Sequence, residues 1–484
     1  FLDANYNYTG DFSWQRGPEG QAEVMSEDGS KLGIVNTVQN ANTKTFSGAI
    51  SFQKLYSTLG LNDNKKPIQG NNIVKDKKKE SRKQKNKKRI KRIVDLLNTI
   101  KRLQFNYSEN NGTVLPGFLP SLGFFGTNRP STAFTFGSQA DIRYESAKKG
   151  WITSFTNFNQ TFNQIHNYSL NISTQWSPFK DLVVDLNIDR NYSENKSENF
   201  RLENSDYIPL NPNIYGNFGT STILIKTAFD KLEDVNNPIF EKFRNNRIII
   251  SNRLVEINSV TNNEVDSDGF PYGFGKNHQL VLIGAFISAY SGIDPNKIDL
   301  NPINRKPLPN WNLKYTGLSN LSSFKKVFER FTLSHAYRAS FTLNNFQSNL
   351  DFDPILPQKL DGAGNIITEK IYSNINLVEQ FNPLIRLDLE FKNSFRFLAE
   401  FKKDRALSLS LDNSLLTESS GNEFILGLGY RVKDVRMVTR IGGKRSSLSG
   451  DLNIKADVSY RKNLTVLRNL EYNNNQVTAG QTQL

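Results

Sequence analysis

The side chains that could perform chemistry are few, and their spacing matches no catalytic or metal-binding pattern. The three histidines, His166, His278 and His335, lie far apart in the chain, whereas zinc ligands recur at short, fixed spacings. The absence of cysteine excludes disulfides, thiol catalysis and cysteine-based metal sites. We therefore expect no enzymatic activity and no cofactor.

Two glycine-containing segments resemble ligand-binding loops only in part. Gly269–Lys276 has the wrong glycine spacing for a phosphate loop, and Asn277 stands where Ser or Thr would hold magnesium. Val265–Gly269 begins like a calcium loop but lacks the remaining oxygen ligands and the distal glutamate, so it is better explained as a turn.

The net charge of +14 arises mostly from one segment. Lys75–Arg92 contains 12 Lys or Arg and 2 acidic residues, a local +10, which leaves +4 for the rest of the chain. Such a run without interleaved aromatic residues is typical of a solvated loop. We predict a basic loop over 62–97, in which Lys75–Arg92 is mobile and dispensable for folding, and no nucleic-acid partner. Contact with anionic lipid headgroups stays open.

Alternation of apolar and polar residues with a period of two is the dominant pattern, and it predicts strands. Leu182, Val184, Leu186 and Ile188 alternate with polar residues such as Asp185. The pattern indicates about fifteen strands, a number typical of a membrane barrel. Similar runs occupy Asn5–Trp14, Thr45–Phe52, Leu103–Tyr107, His166–Ile172, Phe331–Leu343, Ile385–Phe391, Phe395–Leu411, Phe424–Val432 and Leu452–Tyr460.

Turns divide these runs. Trp176–Asp181 and Lys392–Ser394 are predicted hairpin connections. Lys403 and Arg405 break the apolar parity of their run, and we expect them to mark a further turn.

Many of these runs are longer than the average strand of a globular protein, which has about 5–6 residues. They reach the length of about 9–11 residues that a strand needs to span a bilayer. The second side of each strand carries Asn, Asp, Gln and Thr, which suits a water-filled lumen. We predict an all-β fold, a large transmembrane antiparallel β-barrel present as a partial, open fragment, in which Leu182, Val184, Leu186 and Ile188 face lipid. A soluble sandwich with its apolar face inward would show the same alternation. No apolar run is long enough for a transmembrane helix.

The Pro/Gly-rich apolar segment 114–127 breaks the strand pattern. Its prolines and glycines should prevent both a regular strand and a regular helix. Its apolar side chains must nevertheless be buried against something. The candidate packing residues are Leu115, Phe118, Leu119, Phe124 and Phe125.

Residues 229–308 form a predicted helical insert between the barrel strands of 1–228 and those of 309–484. Asn237 can cap a helix that begins at Pro238, and a second helix over Leu280–Tyr290 should end at Gly292. The second helix is apolar on nearly every side, so Leu280, Phe286 and Tyr290 should be buried by protein. An ordinary long loop is the alternative.

Neither apolar segment can lie in lipid as irregular backbone, because unpaired amide and carbonyl groups are costly there. We expect both to pack against the inner wall or rim of the barrel, or against a partner protein docked at an opening.

The sequence also resembles the SprA/Sov family, with the matching segments in the same order over nearly the whole chain. Singly these matches are modest, but their order and spacing together are specific. The segments are Asn98–Thr113, Leu115–Phe118, Pro271–Asn277, Ala289–Gly292, Asp294–Lys297, Pro307–Gly317, Leu407–Glu418, Gly427–Arg431, Lys433–Val435 and Asn474–Gly480.

The resemblance implies a protein-conducting channel in the outer membrane of a Gram-negative bacterium, the translocon of the type 9 secretion system of gliding and pathogenic Bacteroidota. It implies a single-chain barrel of exceptional size, outer-membrane lipid, PorV-type and plug-type partner proteins and secreted cargo proteins. It further implies that this chain is a C-terminal fragment that lacks the final hairpin. A TonB-type or generic porin barrel and a surface β adhesin are the alternatives. An adhesin would bury its apolar side chains in a packed core, whereas a membrane wall would carry them outside in a band about 25 Å tall.

Overall fold

The computed structural model describes residues 1–25, 29, 31–58, 99–123, 128–155, 158–203, 206–230, 237–260, 262, 264–441, 444–472 and 475–484. Within them, thirteen strands form one antiparallel sheet. The predicted basic loop 62–97 lies outside the described residues. The strands are β1 (Leu2–Gln15), β2 (Asn36–Ser51), β3 (Ile100–Phe118), β4 (Phe162–Trp176), β5 (Leu182–Glu203), β6 (Asp206–Ser221), β7 (Asn310–Tyr315), β8 (Phe328–Ser348), β9 (Lys370–Phe391), β10 (Phe395–Ser410), β11 (Leu415–Ile441), β12 (Lys444–Asn469) and β13 (Asn475–Gln483).

The sheet is a meander in which neighbours in the chain are neighbours in space, apart from β7. β1 and β13 lie at its two ends, and no pairing among the described residues joins them. We call the edge that carries the turns Ser177–Asp181 and Lys392–Ser394 the lower edge, and the opposite edge the upper edge. The predicted all-β class is confirmed: an antiparallel sheet of barrel type, left open, with a helical insert between two of its strands.

One strand position in the middle of the sheet is interrupted. The upper part of β5 pairs with β6, and its lower part pairs with β7. β6 and β7 also both pair with β8. β6 and β7 therefore share a single strand position, and the chain between them, residues 222–309, leaves the sheet midway rather than at a hairpin end.

Helices occur in the connections. They are α1 (Phe52–Thr58), α2 (Thr132–Thr135), α3 (Arg143–Lys148), α4 (Pro238–Ile257), α5 (Gln279–Ser291) and α6 (Ser322–Lys325), with 3-10 turns at Glu19–Glu23, Ile225–Thr227 and Gly317–Asn320. None of the helices in the described ranges is both long and apolar enough to cross a membrane.

The two long helices begin and end where the sequence predicts. The Asn237 side chain accepts hydrogen bonds from the backbone amides of Ile239 and Phe240, at 2.8 and 3.4 Å, and Pro238 opens α4. Gly292 ends α5 with a φ of 65°, a left-handed conformation that glycine adopts without strain.

The prediction that the segment from Leu115 onward forms no regular strand is wrong for residues 115–118. Leu115 pairs with Val38, and Pro116 pairs with Thr37, next to a register shift at which β3 advances two residues while β2 advances one. Gly117 has a φ of 81°. The irregular register and the glycine together let the strand absorb a proline, which cannot donate a ladder hydrogen bond.

The predicted turn at Lys403 and Arg405 is also wrong, because β10 runs through both residues. Register with β9 shifts between Phe401 and Lys403 without ending the strand. The Arg405 side chain is buried and forms an ion pair with Glu379, at 2.7 Å. A charge at an apolar position therefore reflects a buried partner rather than a turn.

Packing against the sheet is concentrated in two clusters. The larger one joins the insert to β6, β8, β9, β10 and β11, with Phe243, Phe286, Phe341 and Leu377 at its centre. The smaller one joins the β3–β4 connection to the upper ends of β2 to β5, around Phe118 and other residues. Apolar burial of this kind supplies most of the favourable free energy of packing.

Two glycines in β6 provide a test of the β5–β6–β8 packing. A Cβ at Gly216 would lie 2.0 Å from the carbonyl oxygen of Ser193 and 2.6 Å from Phe346, whereas a Cβ at Gly219 would meet nothing within 4 Å. We expect Gly216→Ala to lower the free energy of unfolding by about 1–3 kcal/mol, and Gly219→Ala to have a much smaller effect. Urea titration of the two purified variants measures the difference, and equal stability would contradict this packing.

Candidate functional site: the two faces of the wall

Strand register assigns each side chain of the sheet to one of two faces. Leu186 on β5 stands opposite Trp311 on β7, which stands opposite Tyr337 on β8. We call the face that carries these residues the apolar face, and the face that carries their sequence neighbours, such as Asp185 and Asn187, the polar face. Because side chains alternate across a strand, each face keeps its own chemistry.

The lower half of the apolar face is uncovered. Leu426 and Leu428 on β11 are 56% and 51% exposed, and Ile454 and Val458 on β12 are 56% and 61% exposed. Ile385 on β9 is exposed as well. We call this uncovered strip the belt. A contiguous apolar surface of this kind marks contact with another apolar phase or partner.

Two rows of aromatic rings border the belt. The Phe401 and Phe424 rings stack with centroids 4.4 Å apart, and the Phe328 and Phe391 rings lie 4.7 Å apart. Along β11, the distance from Phe424 to Tyr430 is about 20 Å at the rise of an extended strand. The upper row consists of Phe401, Phe424 and Tyr460, and the lower row of Phe328, Phe391, Phe395 and Tyr430.

The belt continues across the first five strands. Phe46 on β2 packs against Phe105 on β3, with ring centroids 4.9 Å apart. The residues predicted to face lipid lie on the apolar face of β5, where Val184 is buried and the other three are partly exposed. Their contact with lipid stays a prediction. These residues are Leu182, Val184, Leu186 and Ile188.

The polar face carries interleaved charges of both signs. Arg386 lies 3.1 Å from Glu400, and Arg461 lies 3.1 Å from Asp404 and 3.4 Å from Glu423. Apart from the buried Glu400, these groups are partly exposed, so their pairs contribute little to stability. Together they give β9 to β12 a hydrated surface of nearly balanced charge.

The helical insert docks on the apolar face, above the belt. Phe286 and Tyr290 of α5 are fully buried, and Leu280 packs at the margin of the same cluster. Their partners include Phe341 on β8 and Leu377 on β9. An all-apolar helix is stable only against an apolar surface, which the charged polar face cannot offer.

Two buried ion pairs lie beneath the insert. Arg405 pairs with Glu379, and its guanidinium donates to the carbonyl oxygens of Thr227 and Leu224, at 2.8 and 3.1 Å. Both carbonyls belong to the segment that leads into the insert, so Arg405 ties the insert to the wall. A buried charge is tolerated only when its partners satisfy it in this way.

The second pair joins Arg468 on β12 to Glu418 on β11, at 2.7 Å. The Tyr290 hydroxyl of α5 donates to the same carboxylate. Burial and the neighbouring Glu418 carboxylate raise the pKa of Tyr290 well above its ordinary value, so the hydroxyl stays protonated and remains a donor. The helix is therefore positioned by a directional contact as well as by apolar packing.

The β3–β4 connection forms a second cover, on the same face over the first strands. Arg143 of α3 lies 2.9 Å from Glu198 on β5, and its guanidinium stacks 3.9 Å above the Phe162 ring. Leu115 and Phe118 are fully buried beneath this cover.

The candidate packing residues thus fall into two separate groups on one face. Leu115 and Phe118 belong to the smaller cluster, and Leu280, Phe286 and Tyr290 to the larger. Leu119, expected to pack, is 40% exposed because the chain turns away from the sheet after β3. Phe124 and Phe125 lie outside the described residues. Both groups lie on the apolar face, and their expected position at the inner wall, the rim or a partner protein stays a prediction.

Sequence reasoning missed the buried ion pairs altogether. Their one sequence signal is a charged residue at an apolar position of a long strand run, as at Arg405, Glu418 and Arg468. That signal identifies a site where protein, and neither lipid nor water, must cover the strand.

His278 connects the insert to the β8–β9 connection. Its Nδ1 accepts the backbone amide of Leu280 as the cap of α5, at 3.2 Å, and its Nε2 donates to the carbonyl oxygen of Ile366, at 3.2 Å. Burial lowers the pKa of His278 to about 4 and outweighs the opposing effects of the hydrogen bond to Ile366 and of the Asp361 charge. The neutral ring is therefore the form that supports docking.

Comparison with known proteins identifies no family. No protein-family model and no curated protein matches the chain. Among solved structures, the chain is similar to the RagAB peptide importer in its open-open state, with 8% identity and a TM-score of 0.26 over 96% of this chain. It spans 40% of that importer chain. It is also similar to the transport unit of the autotransporter AIDA-I from Escherichia coli, with 7% identity and a TM-score of 0.19, over 99% of this chain and 86% of that one. Scores this low carry no argument about fold or function.

Removing the Arg405 charge should release the insert while the sheet stays paired. Arg405→Met leaves the buried Glu379 carboxylate unpaired, which costs about 3–5 kcal/mol. We expect faster amide hydrogen exchange in α4 and α5, measured by mass spectrometry, with little change in β9 and β10. The double variant Arg405→Met, Glu379→Leu should recover much of the protection. Unchanged exchange in the single variant would show that Arg405 does not hold the insert.

Acidification should weaken the docking of α5 through His278. Because the pKa falls from its ordinary 6.5 to about 4 on folding, the stabilising contribution is complete above pH 6.5 and is lost as pH falls toward 4. His278→Asn keeps a side-chain acceptor for the helix cap and removes the titration. Amide exchange of α5 between pH 7 and 4.5, corrected for intrinsic rates, should increase more in the parent protein than in this variant. An equal increase in both would assign the effect to other groups.

Proposed function

We propose that this chain forms part of the wall of an outer-membrane β-barrel, with the apolar face against lipid and the polar face against an aqueous lumen. The observation that carries the proposal is the belt, an exposed apolar strip bordered by two aromatic rows, on strands whose other face is charged. Outer-membrane barrels carry an apolar band about 25 Å tall between aromatic girdles, with a polar interior. The belt spans about 20 Å along β11 between its aromatic rows, close to that height.

A soluble or surface-anchored β adhesin would show the same alternation of apolar and polar residues, but it agrees less well with the exposure of the apolar face. An adhesin needs its apolar face inside a packed core. Here Leu426, Ile454 and Val458 are more than half exposed, and the opposite face is too charged to serve as a core. A lipid phase supplies the missing cover.

The finer proposal is a protein-conducting channel, the type 9 secretion translocon that the resemblance to the SprA/Sov family implies. The ordered series of matching segments supports it. The size of the sheet also supports it, because the described residues form thirteen strands and the diameter of a barrel grows with its number of strands. In this proposal PorV-type and plug-type proteins and secreted cargo are the partners. A TonB-type or generic porin barrel is the alternative.

The polar face suits the passage of folded proteins. Its ion pairs satisfy one another across β9 to β12, which leaves few unpaired charges to hold a passing surface. The wall would work by enclosing a hydrated passage, and we propose no catalytic role.

Two adjacent residues on β11 test the orientation of the wall. Leu426→Arg places a charge in the belt and should destabilise the barrel by about 2–4 kcal/mol at the midplane. Ile425→Arg, the matched control, places the same charge on the polar face opposite Glu400 and should be tolerated. Heat-modifiability of the assembled protein on gels compares the two variants. Equal tolerance would contradict a membrane wall.

The same two positions separate a protein channel from a small-solute porin. A photocrosslinking residue at position 425 should capture secreted protein during export, whereas one at 426 should capture lipid. Lipid adducts at 426 without protein adducts at 425 would favour the porin alternative.

A further inference from the structure

The segment that leads from β6 into the insert exposes apolar and basic side chains side by side. Ile225 and Phe229 are 38% and 57% exposed, although neighbouring Leu224 and Ala228 are buried. Lys226 lies between them and is exposed. Exposed apolar residues beside a cation are unusual for a segment that faces only water.

This segment lies directly at the upper border of the belt. The Phe229 ring packs against Phe381 on β9, with centroids 5.4 Å apart, and the Lys403 ammonium lies 5.5 Å from the Phe229 ring centroid. Lys403 stands one position above Phe401 on the apolar face, and Phe401 belongs to the upper aromatic row. The next position above Lys403 on that face is the buried Arg405. The segment therefore occupies the narrow zone between the belt and the covered part of the wall.

Cations recur along this zone. Lys403 on β10 stands opposite Asn422 on β11, which stands opposite Lys462 on β12, immediately above the row of Phe401, Phe424 and Tyr460. Lys462 is exposed. At the other flank of the insert, Arg190 follows Ile188 on the apolar face of β5. Asp230, at the end of the segment, is an opposing charge.

Aromatic and apolar side chains with adjacent Lys or Arg at the border of an apolar band have the chemistry of a membrane interface. Rings lie at the level of the lipid headgroups, and long basic side chains extend from apolar surroundings toward phosphate. We propose that Ile225, Lys226 and Phe229, together with Lys403 and Lys462, form a site for anionic lipid headgroups that seats the insert on the membrane surface. The inference rests on the proposed function, because it requires the belt to face lipid.

The occupant is a lipid rather than a protein because the site is continuous with the belt. Phe229 and Phe401 lie on either side of the same border, so a bilayer that covers the belt necessarily reaches the segment. The lysines complement phosphate-bearing headgroups, because basic residues near an anionic lipid surface are attracted to it.

Spin-label depth measurements on the assembled protein in nanodiscs test the position of the segment. The chain contains no cysteine, so single labels at Phe229→Cys, Leu428→Cys and Leu350→Cys need no background substitutions within it. Accessibility to oxygen and to a water-soluble nickel complex should place 428 in the acyl region, 229 at the headgroups and 350, in the upper β8–β9 connection, in water. Label 428 in water would overturn the proposed function. Label 428 in lipid with 229 in water would overturn this inference alone.

A lipid-retention experiment tests the charge of the headgroup. The parent protein, equilibrated with equal amounts of phosphatidylglycerol and phosphatidylcholine and then stripped by detergent, should retain phosphatidylglycerol preferentially, measured by mass spectrometry. Lys403→Glu combined with Lys462→Glu should reduce that preference several-fold. Lys359→Glu, on the upper connection, is the matched control and should leave it unchanged. Equal retention of the two lipids by the parent protein, or an equal loss in the control, would overturn the anionic site.

Discussion

The two-residue periodicity of the β-strand is the constraint on which the rest of this structure depends. A strand can offer a different chemistry to each side only while its parity is preserved. Parity is preserved in this way at the register shift beside the insert: between Phe401 and Lys403, β10 advances two residues while β9 advances four, from Ile385 to Phe381. Because both steps are even, the apolar residues of both strands stay on one face.

The same constraint explains how the insert joins the wall. β6 and β7 share one strand position, and each keeps the parity of β5 and β8. The chain can therefore leave the sheet after Ser221 and return at Asn310 without exchanging the two faces. An exit in mid-wall, rather than at an edge, brings the insert down to the border of the belt, and its all-apolar helix α5 then covers the strands above.

The local sequence predicts the strands and helices of this molecule well. The features that it does not predict depend on pairing and contacts between residues far apart in the chain. The alternation of apolar and polar residues in a strand and the capping residue of a helix are local signals. The strand around Leu186 and the helix that begins at Pro238 therefore follow directly from the sequence. The inclusion of Pro116 in β3 depends on its pairing with Thr37 of β2, far away in the chain, beside a register shift that leaves Gly117 without a partner in the ladder. The role of Arg405 depends on Glu379 and on the carbonyl of Thr227, far away in the chain. The face chosen by α5 depends on all the strands it contacts.

Strand length connects these observations to function. A bilayer needs about 9–11 residues of a strand, yet β11 and β12 contain 27 and 26 residues. An apolar face that extends beyond the bilayer would meet water unless protein covers it. The insert and the β3–β4 connection provide that cover, and the buried pairs Arg405–Glu379, Arg468–Glu418 and Arg143–Glu198 all lie under a cover and none in the belt. A charge buried under a protein cover is tolerated when an opposite charge pairs with it. The same charge would make the strand surface unsuitable for contact with lipid. In the proposed wall, these ion pairs therefore mark the boundary between the lipid-facing part and the protein-covered part of the strands that carry them.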